Sequence, residues 1–130
     1  MAWTLQLADT DGNILTESFA TLDDELVEYL ARLEGFPVLQ SLRGLEPEEE
    51  TWIDEEARDA LEEEIAKLAP RVQRREAPEP PAWVGLEGNG DIRLGEEMGW
   101  RGLLDFLQRV QHLIHLSKRM GMELWALPDE

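Results

Sequence analysis

Residues 100–120 read WRGLLDFLQRVQHLIHLSKRM, and the spacing of their apolar members decides the fold. Trp100, Leu103, Leu104, Leu107, Val110, Leu113 and Ile114 recur every three or four positions, the periodicity of a helix with one buried face. Phe106 and Ser117 fall at the margin of that stripe, while Arg101, Asp105, Gln108, Arg109, His112, His115 and Arg119 take the other side. About six turns of such a helix can carry the core of a small domain. The remaining chain must supply the surface it packs on.

Working back from this helix, Trp3 to Ala8 alternates apolar and polar residues as a half-buried strand does. Asp11-Gly12 marks a tight turn. A three-residue loop Thr10-Asp11-Gly12 with a left-handed Gly12 sets Leu7 opposite Leu15 and Trp3 opposite Phe19, and leaves Glu17 on the inner face. Thr21 to Glu34 reads as a helix, with Thr21 as cap and Asp24 completing a capping box. Its stripe is Leu22, Leu26, Tyr29, Leu30 and Leu33, and Gly35 followed by Pro37 ends it. Residues 38–45 suit either a helical turn opened by Pro37 or a short strand, with the turn favoured.

A second helix is expected from about Asp54 to Leu68, with the stripe Ile53, Ala57, Ala60, Leu61, Ile65 and Leu68 and with Pro70 as its stop. Trp52 is expected to pack inward and fix the start of this helix. Arg58 is placed to reach Asp54 and Glu62, and Lys67 to reach Glu63. Residues 71–81 form a proline-rich connector. Trp83 to Leu86 and Asp91 to Leu94 form a second hairpin around Gly88-Asn89-Gly90, and Met122 to Leu127 is a last strand after Gly121. The order is β-β-α-α-β-β-α-β. Hairpins pair antiparallel, so the expected architecture is a single α+β domain over residues 1–130, a largely antiparallel sheet with helices packed on one face.

Composition narrows the chemistry. The 130 residues contain no cysteine, which excludes disulfides, thiolate nucleophiles and zinc-cysteine sites. No stretch approaches the roughly 20 apolar residues of a membrane span. Nothing near Met1 resembles a signal peptide, so a cytoplasmic protein is expected. The net charge is −17 and unevenly spread: residues 1–70 hold 19 acids and 4 bases, residues 71–130 hold 10 acids and 8 bases. Such a field disfavours nucleic acid and anionic membranes and favours a basic partner or cations, while also serving solubility.

The familiar motifs fail one by one. His112 and His115 are the only histidines. They share their helix face with Arg101, Arg109 and Arg119, so no bound metal is expected there. The segment from Glu46 to Glu64 holds 11 acids and one base; it lacks the glycine that a calcium-binding loop requires. Gly88-Asn89-Gly90 is followed by Arg93 where a dinucleotide fingerprint needs its third glycine. None of Ser18, Ser41 and Ser117 sits in a nucleophile elbow. No catalytic residue, metal or cofactor is indicated.

Small, acidic, cysteine-free and α+β are traits similar to those of many bacterial inhibitor or immunity proteins that neutralise basic toxins, a likeness of generalities that transfers no functional residue. The first expectation is therefore a non-enzymatic acidic interaction module meeting a basic partner protein. Its contact residues would be Glu48, Glu49, Glu50, Glu55, Asp59, Glu62 and Glu63, with Trp125 as an anchor if it faces solvent. Two alternatives use the same acids. One is a carboxylate-metal-dependent hydrolase; the other is a self-associating protein whose acidic helix meets the Arg101/Arg109/Arg119 face of a second copy.

Overall fold

The computed structural model describes residues 2–46, 48–80 and 96–128. The hairpin expected between Trp83 and Leu94 lies outside the described residues. Four strands, β1 (Ala2–Ala8), β2 (Ile14–Asp23), β3 (Thr51–Ile53) and β4 (Glu123–Pro128), form an open antiparallel sheet in the order β2-β1-β4-β3. The helices are α1 (Asp24–Ala31), α2 (Pro37–Ser41), α3 (Glu55–Gln73) and α4 (Glu96–Met120), and a 3₁₀ turn, Leu42–Gly44, follows α2. The α+β class and the antiparallel sheet are as expected.

Side-chain alternation gives the sheet one dry face. Trp3, Leu5, Leu7, Ala20, Leu22, Ile53, Leu124 and Ala126 are buried on it. Helix α4 lies against β1, β2 and β4, while α3 packs on α4 and α2. The α4 stripe is rotated from the expected one: Phe106 and Ser117 are buried at its centre, whereas Trp100 and Leu104 are only half-buried. Ser117 tolerates that position because its hydroxyl donates to the Met122 carbonyl at 2.6 Å. Helix α4 ends in a left-handed Gly121 (φ +67°), and the Met122 N–H returns to the Ser117 carbonyl at 3.1 Å. This terminator satisfies late helix carbonyls and turns the chain straight into β4.

The first hairpin has the expected three-residue loop: Asp9 N–H donates to the Asn13 carbonyl at 3.0 Å, and Gly12 has φ +87°. The Asp9 carboxylate accepts from the Asn13 and Asp11 N–H groups at 2.8 and 3.0 Å, and these bonds, Asn13's foremost, hold it below its ordinary value. Leu7 does pair with Leu15, but Trp3 pairs with Leu22 instead of Phe19. The register shifts between Leu5 and Leu7. That shift replaces Glu17 and Phe19 with Ala20 and Leu22 on the buried face and leaves Glu17 exposed. Burying a carboxylate is expensive, and an irregular edge strand avoids it.

The helix expected from Thr21 begins later, because Thr21 and Leu22 pair with Thr4 and Trp3 in the ladder. Asp23 is the cap, accepting the Leu26 N–H at 2.8 Å. Pro37 opens α2 as a helical turn. Helix α3 is capped by Asp54 but runs through Pro70 to Gln73, so the connector starts later than residue 71. Buried Leu68 and Val72 hold its last turn on the core, and Arg75 (φ 56°) closes the helix with Glu76 N–H on the Arg71 carbonyl at 2.8 Å. Tyr29, buried, donates to the Pro78 carbonyl at 2.6 Å, which pins the following segment to α1.

Helix α2 depends on a residue far from it in sequence. Its own N-cap position is Phe36, which has no acceptor. Glu64 of α3, only 7% exposed, accepts the Val38 and Leu39 N–H groups at 2.9 and 3.0 Å. The carboxylate caps a neighbouring helix through space.

Two substitutions test this account in chemical denaturation. Leu107→Ala, in mid-stripe and fully buried, should cost about 2–5 kcal/mol. Glu64→Ala should cost about 1–3 kcal/mol because it strands two amide donors, and Glu64→Gln, which keeps one acceptor oxygen, should lose less. Equal stability of the Ala variant and the parent would remove the through-space cap from the account.

Candidate interaction surface

The sheet's other face carries Thr4, Gln6 and Ala8 from β1 and Trp125 and Leu127 from β4, all half-buried. Strand β3 brings Trp52 to the same face, in register with Trp125, which in turn pairs with Gln6. Trp52 was expected to pack inward. It is instead 52% exposed, because Thr51–Ile53 is a strand and its alternation gives the inner position to Ile53. The signal was present as Thr-Trp-Ile, but three residues between an acidic loop and a helix are too few to announce a strand.

The structure separates the acids into three groups. Glu48, Glu49 and Glu50 are exposed in the segment leading into β3. Glu50 lines a groove of about 200 Å³ together with Gln6, Ile14, Glu123, Trp125 and Leu127. Glu55, in the first turn of α3, borders a cavity of about 270 Å³ beside Trp52, Arg58, Ser117 and Lys118. Glu50, Glu55, Trp52 and Trp125 thus gather around the β3–β4 end of the sheet.

Asp59 and Glu62 form a different group. Lys118 of α4 lies 3.0 Å from Asp59 and 2.7 Å from Glu62, so a cation from another helix offsets both acids. Arg58 does not reach Asp54 or Glu62. Its guanidinium turns inward, Nη1 donating to Ser117 Oγ at 3.1 Å, with Nε 3.6 Å from Asp59. That Nε is buried without a hydrogen bond. Glu63 is exposed on α3, apart from both tryptophans in the lining of either cavity. On α4, Arg109 is occupied by Asp105 at 2.7 Å, and His112 and His115 are exposed. Among the described residues, no three His, Asp or Glu side chains are grouped so as to hold a metal ion, and no helix is long and apolar enough to cross a membrane.

No protein-family model matches the sequence, and neither a curated protein nor a solved structure matches it. The geometry therefore stands on its own.

The α3–α4 contact makes a prediction about pH. The hydrogen bond from Lys118 holds the Asp59 carboxyl below its ordinary value, and the bonds to Glu62 and Asp59 raise Lys118. A lowered carboxyl contributes stability above its unfolded-state value and loses it as the pH falls through the folded value. A raised ammonium contributes below its own unfolded-state value, losing that contribution as the pH rises through the folded one. In a carboxyl-detected NMR titration, the Asp59 midpoint should lie below 3.8 and should rise in Lys118→Met. An unmoved midpoint would mean that the pair is not formed in solution.

Proposed function

We propose that the chain is a non-enzymatic interaction module that receives a basic partner protein at the β3–β4 end of its sheet. The Trp52–Trp125 cross-strand pair supports this reading most directly. It is a pair of large aromatics on the face away from α4, with Glu50 and Glu55 beside it and Glu48 and Glu49 exposed in the segment that leads into β3. Aromatics with acids at the rim suit a contact in which apolar burial supplies affinity and charge supplies rate and selectivity. Trp52 joins Trp125 as anchor. Glu48, Glu49, Glu50, Glu55 and Glu63 remain without an ion pair among the described residues, and they provide the field that steers the partner. Asp59 and Glu62, already bridged by Lys118, contribute less.

The reading is tested with a basic protein isolated on the immobilised chain from its native host. Changing Glu48, Glu49 and Glu50 to Lys alters only exposed positions; it should slow association at least about tenfold and flatten its salt dependence. Trp52→Ala should weaken affinity by about 2 kcal/mol or more, mainly through faster dissociation. A partner that binds the triple-lysine variant with unchanged rate and salt response would dispose of the acidic interface.

A further inference from the structure

Strand β3 closes one side of the sheet, and among the described residues it pairs only with β4. An outer strand offers a row of backbone donors and acceptors along its far edge. Two features flank that edge. On the inner side lies a cavity of about 240 Å³ with an apolar lining from Val38, Leu42, Leu45, Ala57 and Leu61. On the outer side stands Trp52, half exposed. Glu46, Glu48, Glu49, Glu50 and Asp54, all exposed, bracket the strand at both ends.

A chain laid along β3 would send successive side chains to opposite faces. Alternate residues would enter the cavity between α2, the 3₁₀ turn and α3, and the residues between them would lie over Trp52. Its ends would pass the acids on either side. We infer that the outer edge of β3, unpaired among the described residues, binds an extended basic segment of a partner by strand addition, with aliphatic side chains inward and Lys or Arg toward the acidic flanks. This assignment rests on the interaction reading and specifies how the partner is held. Charge selects the occupant: a second copy pairing through the same edge would set Glu48, Glu49, Glu50 and Asp54 of both chains against one another.

The test uses the full chain and three synthetic decapeptides of alternating Lys and Val. One is unmodified, and the other two are N-methylated at the odd or at the even residues. The unmodified peptide should bind and slow hydrogen exchange at least tenfold at one or more of the Thr51, Trp52 and Ile53 amides. Only one methylated peptide should lose binding, because successive N–H groups of a strand point to opposite sides. Equal binding of all three peptides, or binding without protection at β3, would overturn strand addition while leaving a charge-driven interface intact. Failure of all three to bind would overturn it as well. Protection of β3 in a dimer without peptide would give the edge to a second copy and end the assignment. The interaction reading fails separately, if the host partner binds the Glu48/Glu49/Glu50→Lys variant unchanged.

Discussion

The burial of α4 against β1 and β4 is the contact on which the other elements depend. Strand β4 can lie between β1 and β3 only if the chain reverses immediately after α4, and Gly121 with the Ser117–Met122 hydrogen bonds supplies that reversal. Ser117 is therefore less an intruder in an apolar stripe than the point at which helix, turn and strand are tied. Arg58 reaches the same hydroxyl from α3, so the polar tie extends to a third element. Removing the Ser117 hydroxyl would take a partner from both the Arg58 guanidinium and the Met122 carbonyl, so the seam depends most on that one side chain.

Charge is managed in the same local way. A chain with a net charge of −17 has to separate acids that do structural work from acids that face water. Asp23 and Asp54 cap helices, Glu64 caps a helix other than its own, and Asp59 and Glu62 hold Lys118. Among the described residues, Glu48, Glu49, Glu50 and Glu55 stay exposed next to β3 and take no part in these contacts. The proposed interface draws on acids and an exposed tryptophan that the fold itself does not consume.

Much of this was legible in the residues. The α4 periodicity, the three-residue loop with a left-handed Gly12, the helical turn opened by Pro37 and the α+β class all follow from local patterns, and the structure has them. The departures have physical causes that act across the chain. Glu17 is displaced by a register shift whose benefit is paid in the ladder with β1. Thr21 is claimed by strand pairing before it can cap a helix. Pro70 is tolerated because Leu68 and Val72 bury the turn around it. For the candidate site, the acids and Trp125 were visible from composition and alternation, but Trp52 was assigned to the wrong face and Lys118 was not linked to Asp59 and Glu62. Both errors concern contacts between residues more than 50 positions apart, which periodicity cannot express.

The central place of β4 has a consequence for how the fold comes into being. Of the four strands it leaves the ribosome last, yet it joins the β1–β2 hairpin to β3. Until then β3 has no neighbour in the sheet among the described residues, and the apolar sides of Leu5 and Leu7 lack the strand and much of the helix that cover them. Loop closure over most of the chain must precede the gain from β4 pairing, the situation in which folding is slow relative to helical bundles. A nascent chain of this topology exposes unpaired strand edges during elongation, when such edges invite aggregation. The acids crowded before and after Thr51–Ile53 give that waiting strand electrostatic protection against its own kind.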